Sequence, residues 1–175
     1  MAETPTLPAN PRVSVAELEA LHRDAYSWAL TRCRQARADA ADLLQTAYAR
    51  LLDGSARFDG RSSLRTFLFG VIERLAREQR RRERLRALLL LRFGAALEPA
   101  PSMGVAESAG SGEQARIAAA LQALSPRQRG VLELVFYRDC SIEEAAAVMG
   151  IPVGTARTHY DRGKKSLAAS LRDLT

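Results

Sequence analysis

The sequence is poor in the residues that build metal centres, disulfide frameworks and many active sites. Its 175 residues include two cysteines and two histidines. Cys33 and Cys140 lie far apart and outside a CxxC spacing, so we expect two small buried side chains and no zinc site or disulfide. No phosphate-cradling glycine loop or acid–base pair accompanies the scattered histidines. The sequence therefore predicts a non-enzymatic protein without catalytic residues, metal, cofactor or small-molecule substrate.

Long apolar runs are also missing. Ala87–Leu91, among the longest, is far below the roughly 20 residues needed to cross a bilayer. The first fourteen residues are rich in Pro and Ala and have no basic start followed by an apolar core, so they do not resemble a signal peptide. We expect no membrane insertion and a cytoplasmic location.

Positive charge is abundant and concentrated. Lys and Arg outnumber Asp and Glu by 26 to 20, which gives a formal net charge of +6. The segment 74–92 alone holds eight Arg and two Glu, an excess of six positive charges that equals the total for the chain. Charge collected in one segment indicates a polyanionic partner more than general solubility.

Helical periodicity runs through nearly the whole sequence, and no alternating stretch bounded by turn signals predicts a strand. We therefore expect an all-α fold. Capping boxes at Ser14, Ser125 and Ser141 mark helix starts. The first helix is expected to run unbroken from Ser14 to about Cys33. The helix after Ser125 is expected to bury four apolar side chains: Val131, Leu132, Val135 and Phe136. The run 88–91 is interpreted as core in preference to a docking stripe.

A change in composition divides the chain. Residues 93–112 are rich in Gly, Ala, Pro and Ser, which predicts a flexible linker between two small helical domains. The expected organisation is a disordered N-terminal tail over 1–13, a first domain over 14–92, the linker over 93–112 and a second domain over 113–175.

The second domain contains the proportions of a DNA-binding helix-turn-helix. A short helix from Ser141 ends at Gly150, a residue suited to the left-handed turn, and a longer helix follows. Residues near the start of a recognition helix usually reach base edges, and later basic residues hold phosphate. We expect base readout from Arg157, Thr158 and His159 and phosphate contacts from Lys164 and Lys165. Thr155 and Arg162 complete the candidate DNA-binding set.

The segment 58–67 mixes aromatic, hydroxyl and arginine side chains directly before the cationic helix. Aromatic and guanidinium planes stack on exposed bases, so this mixture suits unpaired DNA better than duplex. The candidate residues are Arg61, Ser62, Ser63, Arg65, Thr66, Phe67, Arg74, Arg77, Arg80 and Arg81.

At four places in order, the sequence resembles bacterial sigma factors of the extracytoplasmic-function (ECF) group of the sigma-70 family. The matching segments are 42–48 and 61–70 for region two, and 124–129 and 150–158 together with 162–165 for region four. Phe67 stands where the family usually has Trp, and Arg74 where many members have Asn. The resemblance implies a promoter-specificity subunit that binds the RNA polymerase core and directs transcription initiation.

The resemblance also implies partners and roles. Region two would capture the minus-ten promoter element as opened DNA, and region four would read the minus-thirty-five element as duplex. Region four would also touch the β flap, and an anti-sigma factor is an expected partner. The β′ clamp helices would bind the helix that carries Asp42, Leu43, Gln45 and Thr46. A stand-alone helix-turn-helix regulator and a sigma-like decoy are the alternative interpretations.

Overall fold

The computed structural model describes residues 13–92 and 112–172, and all of its regular structure is α-helical. The chain divides into two compact units between Glu98 and Pro99. Unit 1 denotes the described residues 13–92, and unit 2 the described residues 112–172. Most of the expected tail and linker lies outside the described residues, but Gly112, assigned to the linker, begins a helix.

Unit 1 contains four helices, α1 (Val15–Ala20), α2 (His22–Arg32), α3 (Arg37–Leu52) and α4 (Leu64–Arg92). The capping box at Ser14 forms as expected, with Glu17 as its reciprocal partner. The expected single first helix is wrong, because Leu21 separates α1 from α2. At this break the Tyr48 hydroxyl of α3 donates to the carbonyl oxygen of Leu18, an acceptor that a continuous helix would offer to a backbone N–H.

The core of unit 1 forms where α2, α3 and α4 meet. Trp28 of α2 and Phe69 of α4 are fully buried, and their ring centroids lie 5.7 Å apart in a stacked arrangement. The indole N–H of Trp28 donates to the carbonyl oxygen of Phe69 at 3.2 Å. Leu51, Leu68 and Ile72 complete the set of large side chains with no exposure. Apolar burial and one buried hydrogen bond thus tie α2 to α4.

The second half of α4 extends past this core. Every residue from 81 to 90 is exposed, and Leu88 keeps 63% of its surface accessible. Leu85 and Leu89 are also exposed. The core interpretation of Leu88, Leu89 and Leu90 is therefore wrong within unit 1, because α2 and α3 end before they reach this part of α4.

Unit 2 contains α5 (Gly112–Ala123), α6 (Pro126–Tyr137), α7 (Ile142–Met149) and α8 (Val153–Arg172). The capping boxes at Ser125 and Ser141 both form as expected. The expected burial along α6 is confirmed for Val131 and Leu132. It is wrong for Val135, which is half-buried, and for Phe136, which is 56% exposed, and Leu134 is buried instead. Phe136 lies at the end of α6, where its ring stacks on Tyr160 at the surface.

Candidate nucleic-acid interface

The turn between α7 and α8 has the geometry that the sequence predicts. Gly150 ends α7 in the left-handed conformation with φ +61°, and its N–H bonds to the carbonyl oxygens of Ala146 and Ala147. The next N–H, of Ile151, returns to Ala146 at 3.1 Å. These bonds satisfy carbonyls that the helix end leaves open and reverse the chain within three residues.

Two small residues fix one edge of α8 against its neighbours. Ala156 is fully buried, and Gly163 is buried so closely that a Cβ built on it lies 2.9 Å from Cδ1 of Leu132 in α6. This packing sets which face of α8 points outward. Along that face Thr158, Arg162 and Lys165 are exposed at helical spacing.

Arg157 is exposed beside this face and forms an ion pair with α7. Its Nη2 lies 3.5 Å from Oε1 of Glu143, and the two side chains are 62% and 61% exposed. Thr158 donates its hydroxyl to the carbonyl oxygen of Gly154 at 2.9 Å. The residue expected to read bases is therefore held toward the first helix of the motif before any ligand arrives.

The remaining candidates on α8 are placed differently. Thr155 and His159 are half-buried, and Nε2 of His159 is fully shielded from solvent with no hydrogen-bond partner among the described residues. Lys164 is exposed and has its Nζ 6.0 Å from the ring centroid of Tyr160. Exposure thus favours Arg157, Thr158, Arg162, Lys164 and Lys165 as the residues open to a ligand.

In unit 1, the start of α4 gives structural roles to several predicted DNA-binding residues. Ser63 Oγ accepts from the backbone N–H of Thr66 at 3.1 Å and lies 2.8 Å from the Thr66 hydroxyl. Phe67 is half-buried and packs on Phe58 with ring centroids 5.3 Å apart. Together these contacts cap the helix and anchor the preceding loop to it.

The arginines of this region fall into two groups. Arg61, Arg74 and Arg81 are exposed, and the only ion pair in the described residues that involves one of them joins Arg61 to Asp59 at 3.1 Å. Arg65 pairs with Asp24 of α2 at 3.2 Å, and its guanidinium lies 5.1 Å from the ring centroid of Phe69.

The second group is Arg77 and Arg80, which together with Arg32 of α2 surround a buried carboxylate that the sequence interpretation missed. Glu73 has a side chain that is 6% exposed, and it contacts three guanidinium groups. Its oxygens lie 3.4 Å from Arg32, 3.4 Å from Arg77 and 3.8 Å from Arg80. The i,i+4 spacing of Glu73 and Arg77 was the one signal available in the sequence.

The four residues of α3 that are expected to contact polymerase differ in their exposure. On α3, Asp42, Gln45 and Thr46 are exposed, whereas Leu43 is 5% exposed and belongs to the core. The Thr46 hydroxyl donates to the carbonyl oxygen of Asp42 at 2.8 Å. Three of the four candidate residues are therefore accessible to a partner.

Among the described residues, no group of three His, Cys, Asp or Glu side chains is placed to hold a metal ion. In the same part of the chain, every helix is too short or too polar to span a bilayer.

Two family matches decide the identity. Residues 18–86 match sigma-70 region 2, and residues 114–167 match sigma-70 region 4. Together they cover more than two thirds of the chain, in the order that the sequence resemblance implies. This chain belongs to the sigma-70 family. It is an ECF RNA polymerase sigma factor, a non-enzymatic subunit that binds the polymerase core and promoter DNA and directs transcription initiation.

Curated relatives agree with the assignment of this sigma factor. The probable RNA polymerase sigma-C factor of Mycobacterium bovis and the ECF RNA polymerase sigma factor SigC of Mycobacterium tuberculosis are each 28% identical over 169 residues. Each alignment covers 95% of this chain and 88% of the relative.

Solved structures show the same fold. The sigma factor RpoE of Bartonella quintana, in complex with the anti-sigma factor NepR, is 25% identical with a TM-score of 0.61, and the match covers 90% of this chain and 95% of RpoE. CnrH in complex with the cytosolic domain of CnrY is 24% identical with a TM-score of 0.59, covering 91% of this chain and 88% of CnrH.

Proposed function

We propose that this sigma factor recognises its promoter at two points, with α8 of unit 2 reading the minus-thirty-five element and unit 1 holding the opened minus-ten element. The observation that carries the proposal is the exposed polar face of α8, whose opposite edge is fixed by the buried Ala156 and Gly163. A rigid helix with an outward polar and basic face suits the major groove.

Within unit 2 we assign base readout to Arg157 and Thr158, because both are exposed in the first turns of α8. Phosphate contacts fall to Arg162, Lys164 and Lys165, which are exposed farther along. The half-buried Thr155 and His159 support the face from behind, so their effect on DNA binding is indirect.

Within unit 1 we assign contact with unpaired bases to the loop and the start of α4. The half-buried Phe67, held by Phe58, offers an aromatic ring for stacking, and Arg61 and Ser62 lie in the loop that precedes it. Arg74 and Arg81 supply exposed charge for the strand. Ser63, Arg65 and Thr66 shape the loop through their contacts within unit 1. Arg77 and Arg80 contribute charge through the Glu73 cluster.

Docking on polymerase uses separate surfaces in this proposal. The exposed Asp42, Gln45 and Thr46 of α3 meet the β′ clamp helices, and the buried Leu43 keeps that helix face in place. Unit 2 also contacts the β flap. The segment 93–112 serves as the linker between the domains 14–92 and 113–175 and follows the RNA exit path. These contacts require the cytoplasm, where the polymerase works.

An anti-sigma factor is the proposed regulator. The two similar sigma factors were solved in complex with NepR and with the cytosolic domain of CnrY. In this chain Leu85, Leu88 and Leu89 form an exposed apolar strip on α4 that such a partner would cover.

The test combines the purified chain with core polymerase on a library of promoter DNA. We expect transcripts that begin downstream of a defined two-part motif, and loss of those transcripts when Phe67 and Arg157 are both replaced by Ala. An Asp42→Ala/Gln45→Ala variant separates polymerase binding from DNA binding. It should bind the polymerase core more weakly, while the isolated chain binds duplex DNA as the wild type does. Tight duplex binding without polymerase, together with no transcripts, would contradict the proposal.

A further inference from the structure

A cleft of about 230 Å³ lies in unit 1 where the end of α2 and the start of α3 face the middle of α4. Ala76, the lining residue of α4 nearest to Phe67 in the sequence, follows it by nine residues, or roughly 14 Å at 1.5 Å per residue. The cleft is therefore separate from the loop assigned to unpaired bases. Its lining side chains are Arg32, Cys33, Arg34, Asp39, Ala76, Gln79, Arg80, Glu83 and Arg84.

Guanidinium groups dominate the charge of the cleft. Four Arg and two acidic residues line it. Behind the wall, Glu73 is shared by Arg32, Arg77 and Arg80, so the larger cluster has five Arg and three carboxylates. Either count gives an excess of two positive charges. Such an excess, partly withdrawn from water, favours an added anion.

The buried members of the cluster are fixed in place. Arg32 is 11% exposed in its side chain, and its guanidinium lies 4.1 Å from the ring centroid of Trp28. Arg80 donates to the carbonyl oxygen of Arg32 at 3.2 Å. Burial lowers the pKa of Arg80, Glu73 opposes that shift, and the cations Arg32 and Arg77 add to it. The charged form of Arg80 is thus under-compensated, and an anion in the cleft would stabilise it.

The volume of the cleft limits the ligand. Pockets for whole small molecules usually measure roughly 300–1,000 Å³, and one water occupies about 30 Å³ of liquid. At about 230 Å³ the cleft is below that range but equals several water volumes, so it has room for a phosphate group and not for the whole of a larger ligand. Arginine forks match the oxygens of phosphate in pairs, which makes phosphate the anion that this lining suits best.

We propose that this cleft is a binding site for one phosphate group, with Arg34 and Arg84 at its exposed rim and Arg32 and Arg80 at its wall. The phosphate comes from either of two sources, a free phosphate compound or the backbone of promoter DNA. Arg80 also belongs to the proposed minus-ten residues, so the DNA source rests on the proposed function, whereas the first test uses the chain without DNA or polymerase and can fail independently of it.

The first experiment titrates the full chain with inorganic phosphate and with pyrophosphate at constant ionic strength and follows amide NMR shifts. We expect saturable shifts at the cleft residues of α2, the α2–α3 turn and α4. In an Arg34→Gln/Arg84→Gln variant the affinity falls about tenfold or more. The control Arg23→Gln/Arg86→Gln loses the same two charges from exposed positions outside the lining and keeps the affinity.

The second experiment identifies the source by measuring how promoter binding by the holoenzyme depends on salt. If DNA supplies the phosphate, the slope for Arg34→Gln/Arg84→Gln falls by about one relative to the control. If the slope matches the control, a free phosphate compound is the source. Shifts that do not saturate, or an equal loss of phosphate affinity in both double variants, would overturn the proposal.

Discussion

Arg157 and Glu143 join the two helices of the helix-turn-helix through an ion pair of 3.5 Å between Nη2 and Oε1. Both side chains are well exposed, so the pair contributes at most about 1 kcal/mol to stability. Its larger effect concerns DNA, because the carboxylate competes with bases for the guanidinium of Arg157.

Arg157→Ala and Lys165→Ala should affect DNA recognition differently. We expect Arg157→Ala to lower discrimination at one minus-thirty-five position by about 1–3 kcal/mol, since it removes a base contact. Lys165→Ala should weaken binding to all DNA sequences alike, because a contact with phosphate carries no sequence information. Competition binding of holoenzyme to single-base promoter variants measures both effects. Equal profiles for the two variants would contradict this division of roles.

Glu143→Gln should strengthen binding to every promoter sequence at low salt. The change removes a negative charge beside Arg157 and leaves the glutamine within reach of the same guanidinium. Unfolding free energy should change by less than about 1 kcal/mol, as for other exposed pairs. Titrations at several salt concentrations measure the gain, which should shrink as salt rises. Unchanged affinity at low salt would show that the pair does not restrain Arg157.

Gly150 and Gly163 of the motif should respond to substitution for different reasons. Gly150 has positive φ and no atom within 4 Å of a built Cβ, so Gly150→Ala should cost about 1–2 kcal/mol through the backbone alone. At Gly163 the gain in helix propensity opposes a 2.9 Å contact with Leu132, so Gly163→Ala should stay within about 1 kcal/mol of wild type. Gly163→Val adds bulk and should destabilise by about 1–3 kcal/mol. Urea denaturation ranks the three variants.

Trp28→Ala should be the most destabilising single change in unit 1. It empties a fully buried site and removes the bond to the Phe69 carbonyl, which predicts a loss of about 3–5 kcal/mol. Trp28→Phe keeps most of the volume and should cost less. Trp28 is the only tryptophan, so circular dichroism replaces fluorescence as the probe of urea unfolding. Similar losses for both variants would mean that the hydrogen bond outweighs the packing.

Cys33 should make stability depend on pH in the alkaline range. Burial, with Asp39 and Glu83 nearby, raises the pKa of this thiol from 9.0 to about 11. The unfolded chain loses the proton first, so the stabilisation is complete below pH 9 and is lost as pH rises toward 11. Urea unfolding between pH 8 and pH 11 should show this fall as a difference between wild type and Cys33→Ala. If the free energy of unfolding changed with pH in the same way for both proteins, the raised pKa of Cys33 would be contradicted.

Features set by neighbouring residues could be predicted from the sequence. The capping boxes at Ser14, Ser125 and Ser141 and the left-handed Gly150 depend on four or five consecutive residues, and each forms as expected. Hydrophobic periodicity gave the all-helical class for the same reason.

Features set by contacts between distant segments could not be predicted from the sequence. The break at Leu21 coincides with a hydroxyl from α3, and Glu73 is buried because Arg32 arrives from the end of α2. Phe136 matches the apolar pattern of α6 but lies at its end, where stacking on Tyr160 of α8 leaves it 56% exposed. Periodicity identifies a helix face and does not tell how far along the helix its neighbours extend.

The uneven covering of α4 gives one helix two levels of local stability. Its first half packs against α2 and α3, so local unfolding there requires disruption of the whole core. Residues 81–90 are exposed, although Arg82 pairs with Glu78 along the helix and Glu83 and Arg84 border the cleft, and helical turns with little tertiary packing are marginal in water. The last turns of α4 should therefore open more readily than the first half, and a ligand that covers them would stabilise the helix there.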